Sequence, residues 1–62
     1  MDVYQVIDVI RMLSHSQGFY GRLLEEILYA QVYEPKKFEE FRKIIENQNF
    51  KDSLDVVMYF EC

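Results

Sequence analysis

A chain of 62 residues with a single cysteine cannot hold itself together through an internal disulfide bond, and this restricts how it folds. Small domains bury only about 60% of the surface that their unfolded chains expose, so disulfides, a metal ion or oligomerisation usually support them. One His and one Cys argue against a metal site, which leaves oligomerisation. Half of the residues are apolar and ten are Phe or Tyr. We therefore expect one domain, residues 1–62, whose surplus aromatic side chains contact a second copy or another protein.

The charge and the cysteine content disfavour several classes of protein. The net charge is −4, and a negative chain is poorly suited to nucleic-acid phosphates or anionic membranes. The start Met1-Asp2-Val3 lacks the basic segment of a signal peptide, and no apolar run approaches the ~20 residues of a membrane span. A lone cysteine, Cys62, is typical of a reducing compartment. We predict a cytoplasmic protein without membrane contact, and expect the Cys62 thiol to form intermolecular disulfides only in air.

Apolar residues at steps of three and four predict a first helix from about Val3 to Ser14, with Asp2 as its N-cap. Its buried stripe consists of Val3, Val6, Ile7, Ile10 and Leu13. Val9 and Met12 lie off this stripe, so the helix has more apolar surface than one buried face requires.

A polar break over residues 14–18 precedes a second helix, with Ser16 or Ser14 as its expected N-cap. The stripe of this helix consists of Phe19, Tyr20, Leu23, Leu24, Ile27 and Leu28. Gly18 and Gly21 each cost about 1 kcal/mol in a helix relative to Ala. We expect them to allow a close backbone approach to the first helix. Alternatively, the first two helices are one continuous helix with a kink at Gly18.

Residues 29–34 either extend the second helix or form an extended connector. Glu34 precedes a proline and is biased away from helical geometry, while Pro35 suits the first position of a third helix. The third stripe consists of Phe38, Phe41, Ile44 and Ile45. On its exposed side we expect the ion pairs Glu39–Lys43 and Glu40–Arg42. The run 47–49 should end this helix with a left-handed asparagine.

Phe50 is an isolated aromatic residue that we expect to fill the core. Asp52 and Asp55 predict the start of a short helix from Ser53 to about Glu61. We expect this helix to bury Leu54, Val57, Met58 and Phe60. Residues 56–60 also suit a strand, but no partner strand is visible. The predicted fold is all-α, a small bundle of three principal helices plus a short C-terminal helix.

No group of residues resembles a catalytic, cofactor-binding or metal-binding site. His15 lies between two serines, but adjacent loop residues seldom point at each other and no third residue orients them. The carboxylates of Glu25 and Glu26, like those of residues 39 and 40, diverge by about 100° on a helix. The G-x-x-G spacing of residues 18–21 lacks the strand and helix pattern of a KH domain. We predict that the protein is not an enzyme and binds no cofactor.

Tyr29, Val32 and Tyr33 cluster at the end of the second helix, outside its main stripe. Tyrosine is enriched at interfaces because its ring supplies apolar area and its hydroxyl tolerates water. We predict that these three residues bind a partner. The alternative is that they cover the core of a very small domain.

The third helix is the one locally basic element, with Lys36, Lys37, Arg42 and Lys43. A helix-turn-helix protein would use such a helix to read the major groove of DNA. The connection 29–34 is longer than the usual turn of three or four residues, and neighbouring glutamates repel phosphate. A small DNA-binding regulator is therefore the alternative to protein binding. Acidic mimicry of nucleic acid fits the net charge, but the interleaved Lys and Arg argue against it.

The segment 16–24, SQGFYGRLL, resembles a segment of small phage and prophage proteins. The tail from Asn49 to Asp52 and the run 55–57 are similar to the same group, and together these segments cover about a quarter of the chain. The resemblance implies a bacterial or phage context, in which small acidic helical proteins often bind a host protein. The predicted function is a non-enzymatic protein-interaction module that binds itself, as a homodimer, or a host protein.

Overall fold

A computed structural model describes residues 1–61, which fold into four α-helices. These are α1 (Val3–Ser14), α2 (Gly18–Tyr33), α3 (Pro35–Gln48) and α4 (Ser53–Glu61). The described residues contain no β-strand, so the all-α prediction is confirmed and residues 53–61 form a helix. No helix within residues 1–61 combines the length and apolar character of a membrane span. Cys62, and with it the expected behaviour of its thiol, lies outside the described residues.

Helix α1 is the centre of the fold and packs against each of the other three helices. Its N-terminus carries a capping box. The Gln5 backbone N–H donates to Asp2 Oδ1 and the Asp2 backbone N–H donates to Gln5 Oε1, and the donor–acceptor distance is 2.9 Å in both hydrogen bonds. The predicted Asp2 cap is confirmed. Val9, which the sequence placed outside the buried stripe, is buried. The reason is that three neighbours cover a wider arc of α1 than one face.

Helix α2 starts without the predicted serine cap. Its N-cap position is Gln17, whose side chain makes no capping hydrogen bond, and whose carbonyl accepts from the Tyr20 and Gly21 N–H groups. The hydroxyls of Ser14 and Ser16 donate backwards, to the carbonyls of Arg11 and Leu13. Both serines therefore complete the end of α1. Helices α1 and α2 are separate, and the continuous helix kinked at Gly18 is not formed.

The predicted close approach at the glycines is wrong. A Cβ atom built on Gly18 or Gly21 would meet no neighbouring atom within 4 Å. The residues that α2 buries completely or nearly so are Tyr20, Ile27 and Ala30. Gly21 lies about 100° around the helix from Tyr20, away from this buried side.

A single residue, Glu34, separates α2 from α3. Its backbone leaves helical geometry at φ −134° and ψ 65°, and Pro35 is the first residue of α3. The predicted boundary is confirmed, whereas residues 29–33 belong to α2 and do not form a longer connector. Helix α3 packs against α2 after this short corner.

Helix α3 ends at Asn49, whose φ of 55° and ψ of 48° are left-handed, as predicted. Phe50 follows and is buried, and the Met1 ammonium donates a 2.7 Å hydrogen bond to its carbonyl oxygen. The Asp55 backbone N–H donates a 3.1 Å hydrogen bond to Asp52 Oδ1, which confirms the capping role of Asp52.

The buried faces of α3 and α4 differ from the predicted stripes. In α3, Phe38 and Ile45 are buried but Ile44 is exposed. In α4, the wholly buried residue is Val56, with Val57 and Phe60 partly buried. Leu54 and Met58 are exposed, because α4 packs mainly on α1 and so buries a narrow face. Val56 places α4 within the core, so the bundle has four contributing helices and not three with an appendage.

Candidate interaction surface

The exposed side of α2 carries a row of residues at alternating steps of three and four. This row, called here the α2 row, consists of Phe19, Arg22, Glu26, Tyr29 and Tyr33. Residues at these steps share one face of a helix. All five side chains are exposed, with aromatic rings towards both ends of the row and two opposite charges between them.

The three residues predicted to bind a partner lie together at the C-terminal end of α2. Tyr29, Val32 and Tyr33 are 57%, 68% and 69% exposed. The two tyrosine rings pack against each other, with centroids 4.8 Å apart and planes tilted by 40°. The alternative role for these residues, covering the core, does not fit exposures of this size.

An open groove between α2 and α3 runs beside the α2 row. It encloses about 300 Å³ and is lined by Leu23, Glu26, Ile27, Ala30, Glu34, Lys37 and Phe41. A smaller hollow, lined by Phe19, Arg22, Leu23 and Glu26, adjoins it at the shared residues Leu23 and Glu26. The floor is apolar and the rim is charged, which is the composition expected of a surface that accepts a partner side chain.

Arg22 and Glu26 have no ion-pair partner within residues 1–61. The ion pairs in that part of the chain join Arg11 to Asp8 and Arg42 to both Glu39 and Glu46. Arg22 and Glu26 lie one helical turn apart in the order that is less favourable for an intrahelical pair. Both charges therefore face solvent.

Phe19, Arg22 and Glu26 do not belong to the surface predicted from the sequence. Phe19 was predicted to lie in the buried stripe, yet its side chain is 47% exposed. The alternating spacing of residues 19, 22, 26, 29 and 33 was the available signal. A second stripe on the same helix is visible only when the charged positions between the aromatic residues are counted.

The basic residues of α3 do not form one cluster. Lys36 and Lys43 are two turns apart on a common face, while Lys37 lines the groove. Arg42 forms ion pairs with Glu39 and with Glu46, the latter at 3.8 Å. Its hydrogen bond to Glu39 holds the pKa of that carboxyl below its usual value and raises the pKa of the Arg42 guanidinium.

The ion pairs on α3 are not those predicted. Neither Glu39–Lys43 nor Glu40–Arg42 is formed among the described residues. Residues two positions apart do not face each other on a helix, so Glu40 cannot form an ion pair with Arg42. Arg42 instead takes the partners three positions before it and four positions after it.

The connection between α2 and α3 also differs from a helix-turn-helix. One residue, Glu34, joins them, whereas that motif uses a turn of about three or four residues. The predicted connection, residues 29–34, was too long for the motif, whereas the observed connection is too short for it.

His15 is exposed in the connection between α1 and α2. Within residues 1–61, no three His, Cys, Asp or Glu side chains gather closely enough to hold a metal ion. In the same part of the chain, every buried side-chain nitrogen and oxygen has a hydrogen-bond partner.

Comparisons of the chain with protein-family models, with curated proteins and with solved structures gave no match. The resemblance of segments 16–24, 49–52 and 55–57 to phage proteins therefore stays a prediction.

Proposed function

We propose that this protein is a non-enzymatic interaction module that binds another protein chain through the α2 row, Val32 and the adjoining groove. The observation that carries the proposal is the concentration of exposed apolar side chains on one helix. Phe19, Tyr29, Val32 and Tyr33 are all on the 16-residue α2 and are 47–69% exposed. Burial of apolar surface is worth roughly 25 cal/mol per Å², so covering these side chains favours association.

The α2 surface is a better candidate than the other exposed apolar side chains of the molecule. Leu54, Met58 and Tyr59 are exposed on α4, but no groove among those described adjoins them. On α2, tyrosines stand next to an apolar groove with charged residues at its rim. Aromatic anchors beside a concave surface are typical of residues that dominate binding energy.

The bacterial or phage context and the cytoplasmic location expected from the sequence belong to this proposal. So does the absence of an enzymatic role. The competing hypothesis is a DNA-binding regulator that uses α3. Lys36, Lys37 and Lys43 are exposed, but Glu39, Glu40 and Glu46 share that helix with them, and their charges repel phosphate.

Site-specific photo-crosslinking in bacterial cells tests the proposal. Benzoylphenylalanine replaces Val32 in the intact chain, and Lys51, exposed in the connection between α3 and α4, is the control position. We expect a discrete protein adduct from position 32 and none from position 51. Adding Tyr29→Ala and Tyr33→Ala should remove the adduct, because the flanking aromatic area is lost.

A matched variant on α4 shows whether loss of the adduct requires removal of side chains from α2 specifically. Leu54→Ala with Met58→Ala removes a comparable pair of exposed side chains from α4 and should leave the adduct unchanged. No adduct at position 32, or equal adducts at both positions, would contradict the proposal. A gel shift at low salt that disappears in Lys36→Glu/Lys37→Glu would favour the DNA-binding hypothesis, because electrostatic binding is strongest at low salt.

A further inference from the structure

The first four residues of the α2 row are evenly placed about a midpoint, and the charges on the two sides of that midpoint are opposite. Phe19, Arg22, Glu26 and Tyr29 form the series aromatic, cation, anion, aromatic, with steps of three, four and three. The series is symmetric about position 24. Reversing the helix places an anion where the cation was and an aromatic ring at each end. A surface of this kind is complementary to itself, as a two-fold interface requires.

We propose that the partner of the α2 row is a second copy of this chain, with the two α2 helices antiparallel about a two-fold axis midway between Arg22 and Glu26. This inference rests on the proposed function, since it names the partner of the same surface. Phe19 of each copy then packs against Tyr29 of the other. Arg22 of each copy lies opposite Glu26 of the other, so the interface contains two equivalent ion pairs.

Charge complementarity specifies both the partner and the direction of the helices. Arg22 and Glu26 are exposed and lack ion-pair partners within residues 1–61. An antiparallel pairing in this register gives both residues an opposite charge at once. A parallel pairing in register would place Arg22 against Arg22 and Glu26 against Glu26. Such facing like charges oppose association.

The shape of the surface fits a second helix along its length. Helix α2 has 16 residues and is about 24 Å long at 1.5 Å per residue. The hollow lined by Phe19, Arg22, Leu23 and Glu26 lies along the N-terminal half of the row and includes both charged residues of the proposed pairs. The partly buried Leu23 gives the region near the axis an apolar floor. One helix pair makes a small interface, so we expect a weak dimer.

Charge exchange tests the register directly. Molar mass is measured by light scattering and sedimentation equilibrium, in the Cys62→Ser background to exclude disulfides. Concentrations run from about 5 µM to about 1 mM, the range suited to a small interface. We expect the parent chain to dimerise as concentration rises. Arg22→Glu and Glu26→Arg should each weaken dimerisation by at least about tenfold, since the dimer of either variant contains two pairs of like charges across the axis.

Two combinations should restore the dimer. A mixture of the Arg22→Glu and Glu26→Arg proteins should form a heterodimer, because every facing pair is again opposite in charge. The double variant Arg22→Glu/Glu26→Arg should form a homodimer for the same reason. A role of these residues within the monomer would not produce recovery on mixing. Circular dichroism checks that the variants stay helical, as expected for exposed positions.

The proposal is overturned if the parent chain stays monomeric at the highest concentration. It is equally overturned if the single variants dimerise like the parent, or if neither combination recovers the dimer. The crosslinking experiment separates this failure from failure of the proposed function. An adduct at position 32 with a different protein would keep the interaction surface and reject the second copy. Absence of both dimer and adduct would reject both proposals.

Discussion

The Tyr20 hydroxyl donates a 2.6 Å hydrogen bond to the Glu61 carboxylate, which lies 41 positions further along the chain. The bond joins the first turn of α2 to the last turn of α4. The Tyr20 side chain is fully buried. Burial, followed by the hydrogen bond and the negative charge of Glu61, raises the pKa of Tyr20 to about 12. Ionisation would place a buried phenolate beside a carboxylate.

This pKa predicts a loss of stability in alkali. The pKa of Tyr20 rises from the ordinary tyrosine value of 10.0, which applies in the unfolded chain, to about 12 in the folded protein. Above pH 10 the unfolded state binds fewer protons than the folded state, so the free energy of unfolding decreases as the pH rises. The decrease continues until the pH exceeds the pKa of Tyr20 in the folded protein. The slope approaches about 1.4 kcal/mol per pH unit. Tyr20→Phe removes the hydrogen bond and should lower the free energy of unfolding by about 1 kcal/mol at neutral pH. The variant should not show the Tyr20-dependent decrease in stability above pH 10. Urea unfolding followed by circular dichroism measures both, and an identical alkaline slope in the two proteins would contradict the assignment.

Gly21→Ala should stabilise the protein by about 0.5 to 1 kcal/mol, since alanine is the better helix former. The structure leaves open space around a Cβ atom at this position. The thermal midpoint, measured by calorimetry, should rise. Gly18→Ala is the companion variant at the first residue of α2, where the gain should be smaller because the position is at the helix end. A lower midpoint for Gly21→Ala would mean that another chain approaches α2 there.

Ile44 and Ile45 are adjacent, identical in chemistry and opposite in burial. Ile45 is fully buried and Ile44 is 49% exposed. Ile45→Ala should cost about 2 to 5 kcal/mol because it leaves a cavity, whereas Ile44→Ala should cost less than about 1 kcal/mol. Chemical denaturation compares the two. If Ile45→Ala is unfolded, Ile45→Val should still show a loss of about 0.5 to 1.5 kcal/mol. Equal losses at the two positions would contradict the orientation of α3.

Asn49 ends α3 in the left-handed conformation. A residue with a Cβ atom but no local hydrogen-bonding side chain pays about 1 to 2 kcal/mol for this geometry. Asn49→Ala should therefore lower the free energy of unfolding by about 1 kcal/mol. Asn49→Gly should be neutral or slightly stabilising, because glycine adopts positive φ without steric cost. The expected order of stability, Gly at or above Asn and both above Ala, is measured by urea titration.

Most helix ends, though not the start of α2, were predictable because neighbouring residues determine them. Asp2, Pro35 and Asn49 act on backbone groups within a few positions, so their effects appear in the local sequence. The buried faces were less predictable. Val9 is buried because three helices surround α1, and Leu54 is exposed because α4 meets mainly one. The number of neighbours of a helix is a property of the assembled bundle.

The candidate surface also contains residues whose exposure the sequence predicts and one residue whose exposure it does not. Tyr29, Val32 and Tyr33 lie outside the apolar stripe of α2, and their exposure follows from that position. The exposure of Phe19 depends on the side from which α1 and α3 reach α2. That direction is set by the geometry at Glu34 and by packing between distant segments. The spacing of apolar residues in α2 gives no information about either factor.

The corner at Glu34 limits how the gene for this protein can change in length. One added codon in the first turn of α3 would rotate the rest of that helix by about 100° relative to the corner, and would carry Phe38 and Ile45 away from the core. The connections 15–17 and 49–52 are longer, and loops absorb inserted residues more readily than tight corners. Among related genes, insertions and deletions should therefore gather at those two connections, while the spacing from Tyr33 to Pro35 stays constant.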